Sequence, residues 1–299
     1  MKNILTALAI TSSLIFTTGC AKEGQSSQTD TYNGNTVANA NPHEGHNMGD
    51  GKTHKMGEDY IEGHSQLQPA NAVTKLTLPT KITPKTPVNL VIDIQDKQGK
   101  PIANFDQFQE QLMHLIVVSD NLAYFNHIHP TYKENGRFEI QTNFPSYGGY
   151  TLFSDYKVAG KAEQVSALKV QVPGTAPNPS EIDLTTSKIV GNTQVNLKLP
   201  QTISTNKEVH LIFNLLDNSN NQPVQDLQNY LGEKGHLIIL KKSSALTEAD
   251  YIHAHAMNNT RANEIHFMAT FPQPGKYKMW GQFNRNGKII TADFWIDVK

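Results

Sequence analysis

The 299 residues set 26 Lys and Arg against 27 Asp and Glu, a formal net charge of −1, so no bulk positive field draws the chain to nucleic acid or to an anionic membrane surface. Hydrophobic residues make up 37% and charged residues 18%; this polar but weakly charged mixture, rich in Asn, Gln, Thr and Ser, suits an extracytoplasmic all-β protein, and the length leaves room for about two domains. A single cysteine excludes an internal disulfide framework, a multi-cysteine zinc site and a Cys-ligated iron–sulfur cluster.

In chain order, Met1-Lys2-Asn3 supplies a short positive segment, and the apolar run from Ile4 to Phe16 is too short for a permanent bilayer span. Residues 1–19 therefore read as a signal peptide. The run ends in Thr17-Thr18-Gly19-Cys20, which resembles the bacterial lipobox, with Thr17 standing where that pattern prefers Leu. The resemblance implies a lipoprotein acylated on Cys20 and held to the membrane by that anchor alone. Ala21 is not the inner-membrane retention aspartate. The expected location is the outer membrane of a two-membrane cell, or the outer face of the plasma membrane where there is only one.

Residues 20–72 are rich in Gly, Ser, Asn and Gln, have no sustained period of 2 or 3.6, and read as a disordered tether. Within it stand His43, His46, Met48, His54, Met56 and His64. Imidazole suits copper, zinc and nickel, while thioether sulfur selects Cu(I) or Ag(I), so doubled His-x-Met in a tether is a candidate copper-capturing segment. It is similar to the His/Met-rich segments of bacterial copper-resistance proteins.

From Val73 the pattern changes to short β-branched runs punctuated by Pro, Gly, Asn and Asp, and the landmarks recur. Val88–Ile94 with Gly99-Lys100-Pro101-Ile102 matches Val209–Leu215 with Asn221-Gln222-Pro223-Val224. His114–Val118 matches His236–Leu240, and His127-Ile128-His129 matches His253-Ala254-His255. Phe144-Pro145, Gly149-Tyr150 and Phe153 match Phe271-Pro272, Gly275-Lys276-Tyr277 and Trp280. These matches predict two tandem Ig-like or cupredoxin-like antiparallel β-sandwiches, residues 73–172 and 187–299, joined by a Pro-rich linker, 173–186.

Residues i and i+2 of a strand share a face, so His127 and His129, and likewise His253 and His255, can serve one ion. A two-residue turn at Asp120-Asn121 sets His114 opposite His127, and the equivalent register, centred on Ser244-Ala245, sets His236 opposite His253. The expectation is one three-histidine set per domain: His114, His127 and His129, then His236, His253 and His255. Met257 shares a face with His255, Met113 points opposite to His114, and His210, His266 and Met268 read as ordinary strand residues.

The block from His114 to Leu122, with Phe125-Asn126-His127-Ile128-His129-Pro130, Phe144-Pro145 and Gly149-Tyr150, resembles YtkA-like and related Ig-like secreted domains found beside heavy-metal transport and copper-resistance systems. The resemblance covers both copies, although Ala256 stands where the first has Pro130. It implies metal handling at the envelope, with a copper exporter or another envelope copper protein as partner. The expected cofactor is a copper ion, Cu(I) or Cu(II), with zinc served by the same imidazoles.

A blue-copper centre needs a cysteine thiolate, which the sandwich region lacks. His43-Glu44-Gly45-His46 is one residue short of the metalloprotease motif, and neither Gly-x-Ser-x-Gly nor a phosphate loop occurs. The chain is expected to bind rather than catalyse. Two alternatives stay open: an Ig-like interaction module with structural histidines, and a zinc hydrolase using Glu134 as its base.

Overall fold

The computed structural model describes residues 67–179, 181–254, 256–257 and 260–299. Cys20, the tether residues His43, His46, Met48, His54, Met56 and His64, and His255 lie outside the described residues.

The described chain forms two antiparallel β-sandwiches in tandem. In the first, β1 (Ala72–Thr77), β2 (Val88–Asp96), β5 (Thr131–Tyr132) and β6 (Arg137–Thr142) make one sheet in the order β1-β2-β6-β5. Its partner sheet runs β4 (Phe125–Ile128), β3 (Met113–Ser119), β7 (Gly148–Lys157), β8 (Glu163–Val172). In the second, β9 (Ser187–Val190), β10 (Thr193–Lys198), β11 (Glu208–Asp217) and β15 (Glu264–Thr270) make the sheet β15-β11-β10-β9. Facing it, β16 (Gly275–Arg285) pairs β12 (Leu227–Gln228), β13 (His236–Lys241) and β17 (Lys288–Val298), and β14 (Tyr251–Ala254) pairs β13. Helix among the described residues is one 3-10 turn, Glu248–Asp250. Two stacked antiparallel sheets per repeat, with strands of four to eleven residues forming the main ladders, are the Ig-like architecture.

Period-2 patterning builds each core. Val88, Leu90, Ile92 and Ile94 of β2 turn inward onto Phe138, Phe144, Tyr150 and Tyr156. In the second sandwich Leu211, Phe213 and Leu215 of β11 meet Phe267, Phe283 and Phe294. The β16–β17 hairpin closes through Asn286-Gly287, both at positive φ (49° and 80°), with Arg285 opposite Lys288, a tight turn matched to strand twist.

β3 breaks the alternation: all seven of its residues are buried. Met113, Leu115 and Val117 enter the first core, whereas Ile116 and Val118 enter a third cluster shared with Ile238, Leu240, Leu246, Trp280 and Trp295 of the second sandwich. β13 does the same from the other side, with Leu237 and Ile239 in its own core. The sheets carrying β3 and β13 therefore pack against each other, giving a seam between the domains. Reciprocal contacts tie it. Phe125 stacks on Trp280 (centroids 4.8 Å) and Tyr251 on Phe153 (5.1 Å). Lys278 Nζ donates to the Leu122 carbonyl at 2.9 Å, and Lys169 Nζ to that of Leu246.

The two registers differ from expectation by the same two residues. Ile116, not His114, stands opposite His127, and Ile238, not His236, stands opposite His253. The cause is local. Ser119 N–H bonds the Tyr124 carbonyl across a four-residue loop, in which Asn121 Oδ1 accepts from Ser119 Oγ and Ala123 N, and Leu122 adopts φ 58°. In the second sandwich the loop is longer, and Asp250 closes it by accepting from Ser243 Oγ, Thr247 N and Thr247 Oγ1. A shift of two preserves side-chain faces, so all these histidines keep the face that turns to the seam.

Candidate metal centre

The seam gathers the histidines of both domains. His114 lies 5.2 Å from His127 and 5.0 Å from His129, centroid to centroid, while His236 lies 6.2 Å from His114 and 5.9 Å from His127. His253 lies 6.0 Å from His114 and 6.2 Å from His236. His114, His127 and His129 of the first domain and His236 and His253 of the second thus meet in one interdomain cluster, while His255 of the expected second set lies outside the described residues. The reason is that both His-bearing faces lie on the sheets that pack together.

Within it, His114, His127 and His129 each offer a ring nitrogen within 4.8 Å of the others'. His114 Nε2 is 3.2 Å from the Phe108 carbonyl, so it carries the proton and leaves Nδ1 as a lone pair. His127 Nδ1 is 2.7 Å from Gln282 Oε1, so it donates there and leaves Nε2 bare. Those two bare nitrogens face each other at 3.0 Å, and His129 Nε2 is 3.2 Å from the second. Neighbouring ligand nitrogens around a tetrahedral ion at about 2.0–2.1 Å stand about 3.3 Å apart. Two of the three separations stand at that spacing and the third lies within 4.8 Å, so three neutral imidazoles make a ready nitrogen donor set. Burial, then the facing rings of His253, His129 and His236, push His114 down to about 3 against the pull of the Phe108 carbonyl. Burial, with His114 and His129 beside it, holds His127 well below the usual imidazole range, and burial takes His129 to about 4.

The second domain answers differently. His236 repeats the tether of His114, its Nε2 donating to the Tyr230 carbonyl at 2.8 Å. His253, however, turns to the first domain: its Nδ1 is 3.0 Å from Asp155 Oδ2 and 3.7 Å from Glu163 Oε1, and Tyr251 O–H donates to the same Asp155 oxygen at 3.1 Å. Burial alone lowers His253, but the two carboxylates outweigh it and lift it to about 9. Asp155 is raised, chiefly by burial, against the pull of His253.

The remaining sequence candidates fall elsewhere. Met113 is core. His210 is exposed beside Glu208, and His266 lies 3.6 Å from Glu264 on the outer sheet. Glu134, the candidate base, sits at φ 67° in a groove of about 300 Å³ lined by Asp93, Lys133 and Arg137, with no histidine. A larger groove, about 550 Å³, lies over β2 and β6 and also lacks histidine. A third, of about 300 Å³, does open on the seam, between Phe125, His127, Lys278, Trp280, Gln282 and Asp293. Sequence reasoning missed Asp155, Glu163, Gln282 and Tyr251. An aspartate inside the aromatic strand Tyr150–Tyr156 was the available signal, since a buried carboxylate needs a partner.

The fold and the seam define a tandem Ig-like protein with an interdomain histidine cluster. The chain belongs to the family described as "Domain of unknown function (DUF8832)", whose model matches residues 70–174 and again 188–299. No curated protein matches it. Among solved structures it is similar to an alpha-2-macroglobulin of Salmonella (12% identity, 80% of this chain and 15% of that one, TM-score 0.25). It is also similar to one of Escherichia coli (11%, 79% and 22%, 0.26) and to a two-domain fibronectin type-III segment of chicken tenascin (8%, 75% and 97%, 0.22). The chain thus spans less than a quarter of the length of either macroglobulin.

Proposed function

We propose that this chain is a lipid-anchored, extracytoplasmic metal-binding protein that holds copper at the cell envelope and buffers it or passes it on. One observation carries the reading: the bare nitrogens of His114 and His127 converge with Nε2 of His129, while the other nitrogens of His114 and His127 donate to the Phe108 carbonyl and Gln282. Two lone pairs face each other at 3.0 Å with no proton between them, an arrangement that a cation relieves. Imidazole donors accept copper and zinc alike, and the His/Met segment around His43–His64 and the YtkA-like resemblance favour copper. The anchor is Cys20, and a copper exporter or another envelope copper protein is the partner this implies.

The test is copper titration of the full chain, under anaerobic reducing and then oxidising conditions, against His129→Ala, the least buried of the three. Loss of about one equivalent supports the reading; unchanged stoichiometry overturns it. Cys20→Ala releases the chain into the soluble fraction if the anchor is real. The rival, an interaction module with structural histidines, has one point in its favour: His127 and His253 each bond across the seam. It predicts no metal-dependent change in either variant.

A further inference from the structure

We propose that Asp155, Glu163 and His253 form a second cation position beside the three histidines, so that the seam holds two divalent ions. The inference rests on the metal-binding reading and extends it to a mixed oxygen and nitrogen donor set. One ligand atom from each of the three residues lies within 4.8 Å of the others'. The His253 Nδ1 to Asp155 Oδ2 and Glu163 Oε1 separations, 3.0 and 3.7 Å, are near the spacing of donors on one face of a small divalent ion.

The second observation is the state of Asp155. It is fully buried; its Oδ2 accepts from both Tyr251 and His253, while its Oδ1 has no hydrogen-bond partner among the described residues. A buried carboxylate oxygen left without a donor is costly in an apolar seam. A divalent ion at this point gives that oxygen a partner, taking the place of the proton that His253 Nδ1 shares with Asp155. Tyr251 O–H then acts as the outer hydrogen bond that orients a ligating carboxylate.

The donor types set the ion. Carboxylate oxygen with imidazole suits Zn(II) or Cu(II), whereas Cu(I) prefers the all-nitrogen set or thioether sulfur. The neutral three-histidine set brings no negative charge of its own, and the two carboxylates supply it across the 6.0 Å between the His114 and His253 rings. Glu163 keeps a third of its side chain exposed, giving an ion a route from solvent. Asp155 and Glu163 come from the first domain and His253 from the second, so this ion bridges the seam.

The experiment is zinc titration of the full chain against a competing chromophoric chelator, for the wild type, Glu163→Gln, Asp155→Asn and His129→Ala. Glu163→Gln, at the partly exposed position, serves if Asp155→Asn fails to fold. Both carboxylate variants are expected to lose one zinc step, or to weaken it at least tenfold, while keeping the step that His129→Ala removes. An unchanged zinc count and affinity in Glu163→Gln, with one step lost in His129→Ala, overturns the second position and leaves the three-histidine reading intact. No change in either variant overturns both.

Discussion

His127 and His253 occupy corresponding positions in the two domains, and each reaches across the seam with its Nδ1, yet one meets an amide and the other a carboxylate. Gln282 and Asp155 stand two residues beyond the matched pair Trp280 and Phe153 on the facing strands. The neutral partner leaves burial in control, and His127 stays unprotonated; the charged partner, helped by Glu163, reverses the sign and lifts His253 to about 9. The backbone frame is shared, so the residue on the opposite strand decides whether the imidazole of the metal-free chain is neutral or charged.

The largest effect expected is from removing the charged partner. Asp155→Ala takes the nearer carboxylate from a buried imidazolium and destabilises the chain by about 3–5 kcal/mol. Gln282→Ala, which orphans a neutral donor, costs about 1–3 kcal/mol. Urea unfolding of both metal-free variants measures the difference, and equal losses break the comparison.

Next comes acidity. Because His114, His127 and His129 titrate lower folded than unfolded, the unfolded chain takes up more protons below pH 6.5, and stability falls as pH drops toward about 4 and 3. Each contributes about 1 kcal/mol over the first unit below pH 6.5, with the partly exposed His129 contributing least. His253 acts oppositely: its contribution is complete below pH 6.5 and is lost as pH rises through about 9. A melting profile of the metal-free chain against pH is therefore expected to peak between these limbs, near neutrality, and a flat acid limb refutes the assignment of neutral histidines.

Smaller still is the effect of Gln282 on the metal. Gln282→Leu frees His127 to exchange its tautomer and is expected to weaken binding at the three-histidine set by about 10–100-fold, and Gln282→Glu weakens it as well at neutral pH, since a carboxylate there holds His127 protonated as Asp155 holds His253. Equilibrium dialysis of the three proteins reads the order directly. His210→Ala, far from the seam and exposed, is expected to change stability by less than about 0.5 kcal/mol.

The duplication, the strands and the shared face of His127 and His129 were legible in the sequence, because period and repeat survive without knowledge of tertiary packing. The register was not, since Asn121 and Leu122 build a loop where a two-residue turn was expected. Nor was the meeting of histidines from both domains at the seam. It followed from the unbroken apolar runs after His114 and His236, which lack the alternation of a strand with one wet face and so announced a second covering. Asp155 and His253 lie 98 residues apart, and no local pattern links them.

The reciprocal stacking of Phe125 on Trp280 and Tyr251 on Phe153 is the contact pattern of an isologous dimer, drawn within one polypeptide by the segment 173–186. In a homodimer every substitution appears on both sides, so an aspartate facing one histidine would face its twin as well. Covalent tandem lifts that constraint. A single change can then alter one side of the interface and leave the other as it was, which is how a two-fold frame comes to hold Asp155 on one side and Gln282 on the other.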